Sequence, residues 1–484
     1  MLISSSLANF KSFKSLPRLA IRPLTILCGA NSSGKSSVIK SMLTLKQSFA
    51  NTSNRDALIL NGELTNNGFF EDVAFQRETN DFTIANTFII QNPFGEKKGK
   101  IKLKTVNVQT YKALRKIFLD TNKYPEAFQI ELSTSYKCNT ESKLGKSPVL
   151  KKYALTVTMI LEKEKITSHF EMERIDSTNF SFGWDNFPNV QHKFVSGKVS
   201  QCVAYFYGLQ LGNVYIHAHH LPKDTIITNI LPNVYSLSKL AADQYRSISF
   251  LGPLRQAPAR AYTYTNETLS IGTMGENTPF ILAQNKNVNC ILPDTENAGV
   301  CYRTKSTTLL DATQQWLSYM KVEKIDIDQH SEMVKIRIGN SNISDVGFGI
   351  SQVLPVIVEG LSMLPEHTLI LEQPEIHLHP YMQMCLADFL ISLIRAGKQV
   401  IVETHSDHIV NRIIRRIMEE NCTFLLDNTA IYYVEKKDGE STTIPILIDK
   451  VHGIAECPAD FFTQYSSEVD LIVQTGFENI RKGR

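Results

Sequence analysis

The sequence predicts an α/β fold with a mixed β-sheet and an inserted, partly β domain. Three observations predict it. Short aliphatic runs at Leu24–Cys28, Leu369–Leu371 and Val400–Val402 have the length and composition of buried strands. A Gly/Ser/Asn loop, Gly29 to Gly34, joins the first of these runs to a helix-period stretch. The middle of the chain changes to period-two alternation, as in Tyr153–Leu161 (YALTVTMIL), which reads as antiparallel strand.

The elements follow in order. The first segment reads as strand, strand, loop, helix. Val38, Ile39, Met42, Leu43 and Leu45 recur at helical spacing, and the helix is expected to fade near Asn51–Asn54, where NTSN is turn chemistry. Residues 95–245 read as an insertion, between a first lobe at 1–94 and its return at 246–345. Within 94–153 there are 14 Lys/Arg and 5 Asp/Glu, a basic concentration in a chain whose net charge is only +3. In the last part, 346–484, Gln383–Ile394 is patterned as an amphipathic helix. Ile431–Val434 and Ile444–Ile448 read as a hairpin across EKKDGESTT, and Pro445 puts the second strand at a sheet edge because proline donates nothing to a ladder.

Composition narrows the classes. At 484 residues two or three lobes are expected. Hydrophobic residues at 43% and charged residues at 20% exclude wholesale disorder. No unbroken run of 18 apolar residues predicts a membrane span, and the opening residues lack a secretory pattern. Eight irregularly spaced cysteines without a CxxC pair argue for reduced thiols and a cytoplasmic protein.

The strongest chemical signal is Gly29-Ala30-Asn31-Ser32-Ser33-Gly34-Lys35-Ser36, a full match to GxxxxGK[ST] between a strand and a helix. Its glycines let the backbone wrap a phosphate. Successive N–H groups through Asn31, Ser32, Ser33, Gly34 and on to Ser37, with the helix N-terminus behind them, supply positive potential. Lys35 is expected to reach the β- and γ-phosphates of ATP, and Ser36 to coordinate Mg²⁺. The bland alternative is a Ser/Gly-rich turn. A second signal is Thr368–Glu372 (TLILE), an aliphatic strand ending in an acid. That is Walker B geometry, with Glu372 on the metal side; alone, it is also a common core strand.

With these motifs in place, the chain resembles an ABC-type ATPase head of the SMC/RecF/OLD-like group. Asp345-Val346-Gly347-Phe348-Gly349-Ile350-Ser351-Gln352 resembles the group's divergent signature, Glu372-Gln373-Pro374-Glu375 with Ile376-His377-Leu378-His379-Pro380 its Walker B and D-loop region, and Glu403-Thr404-His405-Ser406 its switch-histidine motif. Leu251-Gly252-Pro253-Leu254-Arg255, Gly275-Glu276-Asn277-Thr278 and Cys457-Pro458-Ala459-Asp460-Phe461-Phe462 resemble prokaryotic relatives with a short C-terminal domain of unknown function, as in Septu-, PARIS- or retron-linked anti-phage systems.

The resemblance implies an ATPase that forms a homodimer or higher oligomer on ATP. Lys35 and Ser36 of one subunit would face Gly349, Ser351 and Gln352 of the other, and the assembly would control an effector protein, a nuclease or toxin. Glu372, Gln373, Glu375 and His405 are the expected catalytic group. The chain departs from the group's pattern at Glu372, where many relatives carry Asp, and at Gln373, where a catalytic glutamate is usual. Gln orients a water but accepts no proton, so slow hydrolysis is expected, with Glu375 as the substitute.

A DNA-repair or structural-maintenance ATPase is the alternative, although no sustained heptads support it. Neither a GTPase nor a Rossmann dehydrogenase is favoured: no NKxD motif is present, and the glycine pattern is the phosphate-cradling one. The basic stretch reads either as a DNA surface or as solvated lysines. His217-Ala218-His219-His220 reads as a polar loop rather than a zinc site. Arg412, Arg415 and Arg416 read as a solvated helix face, and Arg255 and Arg260 as residues able to approach a phosphate.

Overall fold

The computed structural model describes residues 1–51, 58–78, 80–93, 106–119, 124–139, 147–188, 192–216, 226–263, 270–293 and 304–456, with Pro458 and Thr475. Lys97, Lys98, Lys100, Lys102 and Lys104 of the basic stretch lie outside the described residues. So do His217–His220 and, apart from Pro458, the quoted C-terminal motif.

Two large sheets organise the chain. The first has nine strands in the order β10-β9-β8-β7-β6-β5-β4-β1-β2. These are β1 (Leu2–Phe10), β2 (Phe13–Ala20), β4 (Phe82–Gln91), β5 (Ala127–Asn139), β6 (Ser147–Ile160), β7 (Lys165–Arg174), β8 (Asn179–Pro188), β9 (Phe194–Tyr207) and β10 (Gln210–Ile216). Every neighbouring pair is antiparallel. Strands β5 to β10, from the segment read as an insertion, thus continue the sheet that β1, β2 and β4 begin. The alternation seen in Tyr153–Leu161 is real: along β6 Tyr153, Leu155, Val157 and Met159 are buried, while Thr156 and Thr158 are more accessible.

The second sheet contains the three aliphatic runs. With β3 (Leu24–Cys28), β11 (Ile248–Leu251), β12 (Thr368–Glu372), β13 (Gln399–Glu403), β14 (Thr429–Lys437) and β15 (Glu440–Pro445), its order is β11-β12-β13-β3-β14-β15. The first five are parallel and β15 turns back antiparallel, so the sheet is mixed. Pro445 lies on the edge strand, as its missing N–H requires.

The parallel sheet is buried on both faces, which is why its strands read as continuous aliphatic runs. Ile370 of β12 and Ile401 of β13 join one core with Val38, Ile39 and Met42 of helix α1 (Lys35–Ala50) and with the inner face of the nine-stranded sheet. Leu369, Leu371, Val400 and Val402 point the other way, into a second core. That core is built on the helices labelled, after α2 (Val106–Phe118) and α3 (Ile226–Arg246), as α4 (Leu309–Tyr319), α5 (Phe348–Ser362), α6 (Pro380–Arg395) and α7 (Asp407–Glu419).

Arg412 and Arg416 are not a solvated face. Both ion-pair at 2.7 Å with Asp388 of α6, which is fully buried and also accepts from Tyr319 Oη of α4. A buried carboxylate demands such partners, and this one fastens α7 to α6 and α4. Only Arg415 is solvent-facing, paired with Glu419 one turn on.

Among the described residues no helix is long and apolar enough to cross a membrane. Cys28, Cys202, Cys290 and Cys385 are buried free thiols.

Candidate nucleotide site

The site forms at the C-terminal edge of the parallel strands, where an open α/β sheet offers its binding crevice. Register brings the acids together. Glu372, the last residue of β12, pairs with Glu403, the last residue of β13, and Glu403 pairs with Leu27 of β3. In-register residues of parallel neighbours share a face. Period two puts Glu372 with Ile370 and Glu403 with Ile401, on the side covered by α1.

After Cys28 the chain makes the loop. Gly29 at φ 138° and Gly34 at φ 109° occupy backbone conformations that favour glycine, and a Cβ on Gly34 would stand 2.5 Å from Ser441 Oγ and 2.6 Å from Ser12 Oγ. Ser32, at φ 59°, completes the sharp wrap. Two hairpin turns brace the loop from outside. Ser441 Oγ donates to Ser33 O at 2.6 Å, Ser441 N donates to Ser12 O at 2.7 Å, and the Ser12 and Ser37 hydroxyls lie 3.4 Å apart.

Lys35 and Ser36 open α1. The Lys35 side chain, on a residue only 3% exposed, donates from Nζ to Gly29 O at 3.0 Å and Ala30 O at 2.7 Å, so the ammonium is curled against the inside of the loop. Ser36 Oγ donates to Glu403 Oε1 at 2.9 Å. Glu403 Oε2, Glu372 Oε1 and Glu375 Oε2 are buried without a hydrogen-bond partner among the described residues.

Burial, and then the adjacent Glu403, push Glu372 up to about 7. Glu403 and Glu375 are raised too, chiefly by burial; Ser36 and Lys35 work against this at Glu403, and the His405 N–H works against it at Glu375. Burial lowers Lys35, against the pull of Glu403, and lowers His405, with Lys35 adding to the effect.

The other expected residues are near but differently employed. Glu375 Oε1 accepts the His405 N–H at 2.7 Å, which ties the loop after β12 to the loop after β13. Gln373 has φ 44° and donates its N–H to Glu403 O at 2.7 Å. His379 caps α6, accepting from Tyr381 N. Gly349, Ser351 and Gln352 form the first turn of α5. Ser351 Oγ donates to Phe348 O, Gln352 is buried, and Gly349 backs onto the His377 carbonyl. Within one chain, therefore, the signature turn packs on the loop after β12. Phe348 beside it is 55% exposed.

Three residues at the site do something that the sequence did not indicate. Glu403 ends an aliphatic strand, QVIVE, as Glu372 ends TLILE; the same pattern marked both. Arg255, read as able to approach a phosphate, is engaged with the backbone at the end of β12. It is 5% exposed and donates to Glu372 O at 3.1 Å and Gln373 O at 3.2 Å, holding the end of β12 in place. Ser441 had no local signal, because its contact spans 408 positions. Arg260 instead pairs with Asp345, just before the signature turn.

The residues present fit a magnesium–nucleotide pair. The loop and the first turn of α1 offer N–H groups to phosphate. Ser36 and the two strand-end carboxylates are hard oxygen donors with unpartnered capacity. Among the described residues no three His, Cys, Asp or Glu side chains make a metal cage of their own. That suits Mg²⁺, which is usually held by one or two carboxylates together with phosphate and water.

A family model described as an AAA ATPase domain matches residues 1–410. The chain belongs to the AAA ATPase domain family. The match takes in this domain's phosphate loop, its signature turn and the strand ends carrying Glu372 and Glu403.

Among solved structures, the SMC head domain from Thermotoga maritima is similar at 12% identity and a TM-score of 0.36, over 92% of this chain and 99% of that one. An SMC head bound to the C-terminal winged-helix domain of ScpA is similar at 11% identity and a TM-score of 0.39, over 92% and 98%. A third, an SMC head with an extended coiled coil bound to the C-terminal domain of ScpA, from Pyrococcus furiosus, gives 10% and 0.35, over 92% and 96%. No curated protein matches.

Proposed function

We propose that this AAA ATPase domain binds ATP with Mg²⁺ and hydrolyses it slowly, in an ABC-type dimer whose nucleotide state controls a partner effector. The observation that carries the nucleotide reading is the convergence of Lys35, Ser36, Glu372 and Glu403 at one edge of the parallel sheet.

In this reading Lys35 exchanges its two loop carbonyls for the β- and γ-phosphates, and the loop N–H groups take the remaining phosphate oxygens. Ser36 and Glu372 would hold the metal, which when bound draws charge from the phosphates. Arg255 keeps Glu372 aimed by fixing the carbonyls on either side of the strand end. Gln373 orients a water without taking its proton. Glu375 fixes the backbone of His405, so a change at the γ-phosphate felt by the switch loop passes to the loop after β12 and on to the signature turn backed on His377.

Exposure of Gly347 and Phe348 at the head of the signature turn supports use by a second copy of the chain. Control of a nuclease or toxin in anti-phage defence rests on the motif resemblance.

Equilibrium binding of a fluorescent, non-hydrolysable ATP analogue tests the core of the proposal. Lys35→Ala should lose binding by about a hundredfold or more, because the loop loses its cation at the phosphates. Wild-type affinity in that variant would sink the nucleotide reading. For hydrolysis, Glu375→Gln keeps an acceptor for His405 N–H but removes the carboxylate. It should slow single-turnover hydrolysis more than Gln373→Ala does; the reverse order would make Gln373 the working residue.

A further inference from the structure

Glu403 stands where the magnesium-side chemistry needs an oxygen, although in the sequence it only opens the stretch that resembles the switch-histidine motif. Three observations converge on it. Its register partner on β12 is Glu372, so the two carboxylates leave the sheet side by side on the α1 face. One of its oxygens accepts the hydroxyl of Ser36 at 2.9 Å, the residue that would hold the metal. The other oxygen is buried and has no partner among the described residues, as does one oxygen of Glu372.

Two adjacent buried carboxylates repel each other and cost desolvation unless a cation lies between them or close by. Lys35 acts on Glu403 and Lys40 on both carboxylates, but neither ion-pairs with them among the described residues, and the Lys35 ammonium donates to Gly29 and Ala30 carbonyls. Arg255 donates to backbone oxygens rather than to either carboxylate. The unmet demand is for a compact, oxygen-seeking divalent ion next to the Ser36 hydroxyl.

We propose that Glu403 is a second metal-side carboxylate, which with Glu372 and Ser36 makes nucleotide binding unusually dependent on a divalent cation. The inference rests on the nucleotide reading above and adds a residue to it. The physical consequence is two-sided. With Mg²⁺ present, the pair attracts the ion that neutralises the triphosphate. Without it, the two carboxyls, to the extent that burial leaves them ionised, face the negative charges on the phosphates and oppose binding.

The test is a titration of Mg²⁺ against binding of the fluorescent ATP analogue, with a parallel arm in EDTA. Wild type should bind the analogue at least about a hundredfold more weakly in EDTA than with Mg²⁺. Glu403→Gln keeps an acceptor for Ser36 but removes the charge. Its Mg²⁺ midpoint should rise about tenfold, while its affinity in EDTA should increase. Glu403→Asp, which keeps the charge, should retain the wild-type direction of metal dependence.

A purely positioning role would lower affinity in both arms, or in neither, and would leave the Mg²⁺ midpoint unmoved; either result overturns the inference. If Glu403→Gln fails to fold in a thermal melt, wild type alone decides: equal affinity with and without Mg²⁺ overturns it. Failure of wild type to bind the analogue under any condition instead overturns the nucleotide reading itself, so the two failures are distinguishable.

Discussion

The two sheets solve different problems with different residues. The nine-stranded sheet packs its inner face with rings: Phe82, Tyr136, Phe128, Tyr153, Phe170 and Phe182 are all essentially buried. Its buried polar groups are neutral: the Tyr153 and Ser238 hydroxyls meet at 2.9 Å, while Tyr136 Oη and Trp184 Nε1 have no partner among the described residues. The six-stranded sheet is nearly all aliphatic along its parallel strands. It then ends at one edge in acids, hydroxyls and a buried ammonium, several with capacity to spare. Antiparallel pairing spreads strand ends over both edges of a sheet. Parallel pairing collects the carboxyl ends on one side and concentrates helix N-termini there, so charge can be gathered only in the second.

If that division is real, stability and nucleotide affinity should separate when each sheet is mutated. The largest expected effect is on the aromatic side. Phe128 is fully buried, with Tyr111 and Phe118 ring centroids at 5.5 and 6.0 Å. Phe128→Ala should cost about 3–5 kcal/mol in denaturant unfolding, yet leave analogue affinity within about twofold when the chain is folded. A large affinity loss would show the sheets to be energetically coupled.

Gly34→Ala should behave in the opposite way. Its Cβ must occupy a glycine-favoring φ and displace two serine hydroxyls, so about 1–2 kcal/mol of strain lands in the loop that would grip phosphate. Analogue affinity should fall about tenfold or more, with a smaller change in unfolding midpoint. Ser441→Ala leaves the Ser33 carbonyl without its donor and should cost about 1 kcal/mol. Much of that cost should appear as weaker analogue binding.

The smallest effect is a pH slope. Lys398 is buried, donates to Gly360 O and Leu361 O, and is pushed down to about 8 by burial. Between pH 8 and 10.5 the unfolded chain therefore binds more protons at this group than the folded chain. Its contribution to stability should rise with pH across that window, by at most about 1.4 kcal/mol per pH unit, and the rise should vanish in Lys398→Met. Persistence of the slope in that variant would assign it elsewhere.

Much of this molecule was legible in its residues because the decisive signals are local. The strand Leu24–Cys28, the loop and α1 are consecutive. The TLILE strand and the Ile431–Val434 hairpin announce themselves by composition and turn chemistry. What escaped was set by register and distance. Nothing in QVIVE alone says that its glutamate will stand beside Glu372, because that follows from β13 lying between β12 and β3. Arg412 and Arg416 look solvent-facing in a helix of high polarity until Asp388, on another helix, is placed under them. The segment 95–245 reads as an insertion built on the first lobe, but nothing local says that its six strands from 127 to 216 extend one sheet from β1 and β4, neighbour by neighbour.

The bracing of the phosphate loop by Ser441 has a bearing on how the chain comes into being. A loop near the beginning is finished by a hairpin near the other end, and β3 itself is flanked by strands that emerge from the ribosome some 370 residues later or more. During synthesis the antiparallel meander can pair as it appears, neighbour by neighbour. The nucleotide pocket must wait for its far flank. A nascent chain arrested before residue 441 should thus be compact yet unable to retain the ATP analogue, and release of a few dozen more residues should switch retention on. Early retention would mean that the loop matures without its brace.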